Sequence, residues 1–302
     1  MYLHEDKELF SEVLEKSKSE TGLPLKIVEK DYYVTMILYS LSQKSKNVVF
    51  KGGTSLSKCF HAINRFSEDI DITFTEYLGD KKRKHLKYDV MQKISEELKM
   101  PILNWNEIQS DRDLNNYIFS YESVLDIDDK DKIPSEVKVE TALASYSFPV
   151  KELEIDSYVR QFLIKENQNI VDEYNLGLFK MKVQSLERTF IDKVYALCDY
   201  YLEKKSKRYS RHLYDLYKLR PLIKFDDDFK ILIKEIYNHR SKMKICPSAK
   251  PGIDISCIIK EFCENDFFKS DYIEITSYFT KDPVDYDLTK QNILSLADTG
   301  LF

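Results

Sequence analysis

Apolar positions recur at helical spacing in two early segments, near residues 5–18 and 25–44, and in the second Val28, Tyr32, Met36 and Tyr39 fall on one stripe. A short apolar run at 47–50 then reads as a buried strand. It ends at the adjacent Gly52 and Gly53, after which Thr54 or Ser55 is placed to cap a helix burying Leu56, Phe60 and Ile63. Residues 69–75 alternate: Ile70, Ile72 and Phe74 share one face of a strand, and Asp69, Asp71 and Thr73 share the other. A helix over 84–98 and strands over 102–105, 117–121 and 136–143 follow. From about Ser185 the pattern is helical, over 186–202, 211–219, 229–237 and 255–265. The expected class is therefore α+β, a mixed sheet with flanking helices in the N-terminal half and an α-rich C-terminal half. The expected domains are 1–165 and 166–302.

Composition adds exclusions. The chain has 302 residues, 43% hydrophobic and 32% charged, ordinary for a globular protein with one large core or two smaller ones. No apolar run is long enough for a bilayer, and residues 1–6 lack a signal peptide's basic and apolar regions, so a cytoplasmic protein without a membrane partner is expected. Five scattered cysteines (Cys59, Cys198, Cys246, Cys257 and Cys263), with no Cys-x-x-Cys pair, argue against a disulfide framework and against a zinc site. The net charge of −5 excludes a protein that is basic overall, but the charge is uneven. Lys81, Lys82, Arg83 and Lys84 form one basic block, and Lys204, Lys205, Lys207, Arg208 and Arg211 another. Acidic runs lie at 126–131 and 226–228. Such blocks are solvated faces or local phosphate-binding patches.

The candidate chemistry sits on the acidic strand. Two carboxylates side by side repel unless a cation lies between them, and a hard divalent ion with oxygen ligands meets that need. By itself Asp69-x-Asp71 is also compatible with a solvated edge. Its neighbourhood changes the weighting: a glycine pair between strand and helix directs backbone N–H groups at one point, where a phosphate can sit. Thr54 and Ser55 add hydroxyls there, and Lys58, one turn in, adds charge. Glu140, which shares a strand face with Lys138 and Ala142, is the candidate third metal ligand, or a cross-strand partner of a lysine. Around residues 200–212, Tyr200, Tyr201 and Tyr209 lie among the second basic block, either facing a core or offering stacking surfaces to a single-stranded RNA end.

Residues 50–58 (Phe50-Lys51-Gly52-Gly53-Thr54-Ser55-Leu56-Ser57-Lys58), followed by Arg65-Phe66-Ser67-Glu68-Asp69-Ile70-Asp71, resemble the signature of the AbiEii-type nucleotidyltransferase toxins of type IV toxin–antitoxin systems. That family lies within the DNA polymerase β-like nucleotidyltransferase superfamily. Glu29-Lys30-Asp31-Tyr32-Tyr33-Val34 upstream, and Leu186 to Lys193 and Ser210 to Leu216 downstream, resemble it too, so the likeness spans most of residues 25–220. It implies a nucleotidyltransferase-fold N-terminal domain, with the helical domain completing the active-site cleft. Asp69 and Asp71 would be catalytic and bind Mg2+ or Mn2+. Gly52, Gly53, Thr54, Ser55 and Lys58 would bind the nucleotide, Lys193 would meet its phosphates or the transition-state charge, and Asp215 would be the late-motif acid. Outside that likeness, Lys193 reads as a snorkelling surface lysine and Asp215 as an ion-pair partner of Arg211. His212 stands where some relatives have Asp. The implied activity is transfer of NMP from an NTP to an acceptor hydroxyl, a tRNA 3′ end, by a toxin with a cognate antitoxin, in phage defence. The competing readings are AMP transfer to a protein hydroxyl and a non-catalytic nucleotide-binding protein.

Overall fold

Helix α2 (Leu25–Lys44) is apolar almost all round, with Val28, Tyr32, Tyr33, Val34, Met36, Ile37, Leu38 and Leu41 buried, and a helix of that pattern must lie inside a core. In front of it, α1 (Lys7–Thr21) starts at an Asp6 cap and stops at Gly22, which takes the left-handed conformation at φ +64°. The computed structural model describes residues 1–65, 67–125, 133–277 and 280–302. Phe66 and the acidic run at 126–131 lie outside them. The chain forms two units, Met1–Cys59 with Glu68–Val183, and Phe60–Ser67 with Gln184–Phe302. The division falls beyond residue 165 because the segments up to Val183 pack with the first unit.

In the first unit β1 (Val48–Lys51) leads into α3 (Gly52–Lys58), and β2 (Ile70–Phe74) follows. The helix expected over 84–98 is α4 (Asp80–His85) and α5 (Gln92–Leu98) joined by a π-helical turn, Leu86–Met91. Then come β3 (Leu114–Ser120), β4 (Glu136–Ala142), β5 (Val150–Ile155), α6 (Tyr158–Glu166), α7 (Gln168–Glu173) and β6 (Phe179–Gln184). The six strands form one mixed sheet in the order β3-β4-β2-β1-β6-β5. β2 runs antiparallel to β1 and parallel to β4, and β6 runs parallel to β1. Helices α1, α5 and α6 pack on α2, which also touches β4.

Three expectations need correction. Residues 102–105 are not a strand: Ile102 makes one bridge to Phe119, after which the Asn104 side chain bonds Asn116 O and Ile118 N and replaces a backbone ladder. The helix after the glycines begins at Gly52, with Lys51 as its N-cap and no side-chain cap, and it ends before Phe60. Neither Thr54 nor Ser55 caps it. Strands β5 and β6, which the periodicity did not predict, complete one side of the sheet.

The second unit is α-rich, as expected: α8 (Leu186–Leu202), α9 (Arg211–Leu219), α10 (Asp227–Arg240), α11 (Ile255–Glu264), the short α12 (Lys269–Asp271) and α13 (Tyr286–Ala297). Ser185, Asp226 and Asp254 cap α8, α10 and α11. Helix α8 packs against α9, α10 and α11, and α13 against α9 and α11, around Phe190, Val194, Leu197, Leu216 and Ile259. Residues 60–67 join this unit through Arg65, which bridges Thr280. Among the described residues no helix is long and apolar enough to cross a membrane.

Candidate active site

The pleat sorts the sheet's side chains into rows. One row holds Thr141, Ile72, Phe50 and Val183, all buried; the adjacent row, on the opposite face, holds Asn116, Glu140, Asp71 and Lys51 across β3, β4, β2 and β1. Ile70, Ile72 and Phe74 go to the core as expected. Thr73 is buried as well, its hydroxyl donating to Ala142 O at 2.8 Å and Ser145 O at 2.9 Å, so the polar face of β2 narrows to its first residues.

The glycine elbow and the acids meet closely. Gly52 sits at φ +77°, and a Cβ built on it would lie 1.9 Å from Asp71 Oδ2, so the Asp71 carboxylate occupies the space that any larger residue would fill. Thr54 Oγ1 donates to Asp69 O at 2.5 Å, which ties the backbone just ahead of β2 to α3. Ser55 turns its hydroxyl back to Gly52 O at 2.9 Å. Glu140 is exposed and is the register partner of Asp71 on the parallel strand, hence on the same face.

Among the described residues no group of three His, Cys, Asp or Glu side chains forms a metal cage by itself. The donor set nonetheless suits a hard ion that keeps part of its coordination for water and phosphate. Asp71 and Glu140 share one face, and Asn116 in the same row has a buried Oδ1 with no hydrogen-bond partner among the described residues. Asn116 and Lys51 were not foreseen, because only strand register places them beside the acids.

Lys58, at the end of α3, forms an ion pair. Its ammonium pairs with Asp31 at 2.5 Å, both side chains being largely buried, and the other Asp31 oxygen accepts from Tyr158 N at 3.0 Å. Asp31 belongs to three consecutive charged residues on α2, each with its own task. Glu29 accepts from Ser123 and Val124 N, Lys30 pairs with Glu68 next to Asp69, and Asp31 holds the end of α3. Charged residues inside a helix otherwise built for burial were the available signal. Breaking one partner of the Lys58–Asp31 pair strands a buried charge, at a cost of about 3 kcal/mol, whereas an apolar pair of similar size is close to neutral. Lys58→Met and Asp31→Leu should each lower stability by about that amount and the double variant by under about 1 kcal/mol. Urea unfolding of the four proteins checks this, and additive losses would show that the two residues do not act as a pair.

The second unit holds a separate buried cluster. Asp215, on α9, is fully buried and accepts two bonds from Arg65, Nε and Nη2 both at 2.7 Å, and one from Lys193 Nζ on α8 at 2.7 Å. Lys193 Nζ also lies 3.3 Å from His212 Nδ1. Burial alone would raise the Asp215 carboxyl; Arg65 and Lys193 outweigh it and hold it well below the usual carboxylate range. Burial pulls Lys193 below its ordinary value, with Asp215 opposing, and burial together with Lys193 and Arg211 keeps His212 neutral. Lys193 and Asp215 thus meet each other, and Asp215 forms ion pairs with both Arg65 and Lys193. Arg211, the partner that helical spacing suggested, is exposed.

Among solved structures the chain is similar to MenT4, a nucleotidyltransferase toxin from Mycobacterium tuberculosis, with a TM-score of 0.55 and 18% identity over 94% of this chain and 87% of that one. No curated protein matches the chain. The family described as nucleotidyl transferase AbiEii toxin, type IV TA system, matches residues 36–293, which include the glycine elbow, the acidic strand and the Lys193–Asp215 pair. The chain belongs to the AbiEii nucleotidyltransferase toxin family.

Proposed function

We propose that this nucleotidyltransferase toxin moves NMP from an NTP to the 3′ end of tRNA in a magnesium-dependent reaction, and that a cognate antitoxin neutralises it. The observation that carries the reading is the close approach of Asp71 to the left-handed Gly52, beside a helix start that no side chain caps. Carboxylate and phosphate-facing N–H groups in that proximity suit a triphosphate together with its counter-ion. Asp69 and Asp71 would hold the metal, with Glu140 as the candidate third ligand. A bound divalent cation supplies charge neutralisation for the triphosphate and makes the attacking hydroxyl more acidic.

The chain's own residues account for the rest. The N–H groups at the start of α3 orient the phosphates, and the Thr54–Asp69 bond keeps the acid-bearing strand in place while charge develops. The acceptor oxygen forms a bond to the α-phosphorus, the bond to pyrophosphate breaks, and the hydroxyl proton passes to a carboxylate of the Asp69–Asp71 pair. Lys193, oriented by Asp215, is the proposed cation for phosphate or transition-state charge.

Asp69→Asn and Asp71→Asn should each lower transfer by about 10³-fold with folding intact, and chelation should remove the activity until magnesium is restored. The assay incubates tRNA or cell lysate with each labelled triphosphate and reads 3′ extension, nucleotide choice and pyrophosphate release. Label on a protein band instead of tRNA would replace the acceptor. Equal growth inhibition by wild type and an Asp69→Ala/Asp71→Ala variant would end the catalytic reading.

A further inference from the structure

Between α8 and α9 the chain makes a strained, cation-rich loop. Lys204 and Arg208 both adopt positive φ, +59° and +70°, without being glycine. Lys204 follows the end of α8, where Lys205 N bonds Tyr200 O at 2.8 Å. Arg208 is held by the buried Asp271, which accepts from Arg208 N at 2.7 Å and Ser210 N at 3.1 Å. This fixed backbone keeps the cationic side chains of 204–208 at the surface.

Three rings line up beside the loop. Tyr200 and Tyr209 stack with centroids 3.6 Å apart and planes 19° apart, and Tyr200 stacks on His212 at 5.9 Å and 12°. At its His212 end the row touches Lys193 Nζ. All three rings are partly exposed, and Lys204, Lys205, Lys207, Arg208 and Arg211 are exposed. Within residues 203–212 the five cations face one carboxylate, Glu203, which pairs with Lys205 at 2.8 Å. Lys207, Arg208 and Arg211 have no ion pair among the described residues. The other basic block differs: Lys82 pairs with Glu76 and Arg83 with Asp113, and the nearby Tyr77 meets Tyr146 edge-on at 4.9 Å, not stacked.

We propose that the Tyr209–Tyr200–His212 row, rimmed by Lys204, Lys207, Arg208 and Arg211, is the docking surface for a single-stranded RNA end, with a base stacking on Tyr209 and the rim holding its phosphates. The proposal deepens the acceptor reading above and rests on it. Planar rings in register with uncompensated cations match the two parts of a nucleotide, a π-face and a charged backbone. An acidic peptide would use the cations and leave the rings without a role.

The test is fluorescence anisotropy of the full chain with a labelled single-stranded RNA oligonucleotide across a salt series. Tyr209→Ala should weaken binding about tenfold and Tyr209→Phe should restore it. Lys207→Gln/Arg208→Gln should flatten the plot of log affinity against log salt by about 1.4, at roughly 0.7 for each phosphate no longer neutralised. A duplex of the same sequence should bind more weakly than the single strand. Unchanged affinity in Tyr209→Ala, or equal binding of polyglutamate of matched charge, would overturn the proposal. Transfer of nucleotide to RNA by the wild type, measured in parallel, separates the two readings. RNA labelled normally by Tyr209→Ala with undiminished affinity sinks this surface alone. No labelling of any RNA sinks the acceptor, and the surface with it.

Discussion

Gly52→Ala should leave a folded protein that has lost nucleotide transfer. The added Cβ would stand 1.9 Å from Asp71 Oδ2, 2.7 Å from Cγ and 2.9 Å from Cβ, distances at which something must move. The nearest obstacle is the carboxylate, but Asp71 Cβ, fixed to the strand, is also too close, so the carboxylate must turn and the backbone of elbow or strand must shift with it. The left-handed φ of +77° adds strain of about 1–2 kcal/mol once a Cβ is present. The backbone shift adds to that strain, the proposed metal-binding carboxylate no longer sits at the elbow, and a displacement on the order of 1 Å can cost about 100-fold in rate. Thermal melting and the transfer assay together check this. Transfer within about threefold of wild type in a folded Gly52→Ala protein would show that the Asp71 position against the elbow does not matter to the chemistry.

Asp215→Ala should be the most destabilising of these single changes, by about 3–5 kcal/mol, because it leaves Arg65 and Lys193 buried without their counter-charge. Asp215→Asn keeps the shape and some hydrogen bonding and should cost less. The same carboxylate links stability to pH. Its folded pKa lies below its ordinary 3.8, so its contribution is fully present above about pH 4 and is lost as the pH falls toward the folded value. Urea titrations at pH 7 test the first point, and a series from about pH 4 down to about pH 2 tests the second. A wild-type to Asp215→Ala difference under about 1 kcal/mol at pH 7 would show that the cluster carries little of the fold.

How much of this was legible in the sequence depended on whether the responsible interactions were local. The stripe of Val28, Tyr32 and Met36 on α2 and the alternation of Ile70, Ile72 and Phe74 both declared their elements, because burial is repeated at each turn or each second residue. The proximity of elbow and acids also followed from a short strand-turn-helix-strand sequence. The partner of Lys58 did not, since Asp31 lies 27 positions earlier, nor did Arg65 as the partner of Asp215, 150 positions away. Strand β5, Val-Lys-Glu-Leu-Glu-Ile, lies at the sheet edge with its charged residues exposed, so its periodicity is faint. Residues 102–105 erred the other way: apolar letters suggested a strand, but the Asn104 side chain took the bonds a neighbour would have made.

The excursion of residues 60–67 into the second unit has a consequence for how the protein is born. Arg65 leaves the ribosome 150 residues before Asp215 does, which at about 5–20 residues per second is a wait of roughly 8–30 s. During that interval the arginine has no carboxylate to close on, and the helices that will receive it do not yet exist. The chain so arranged cannot finish its Lys193–Asp215 pair until translation is past two thirds of its own message, so this buried cluster closes late in synthesis.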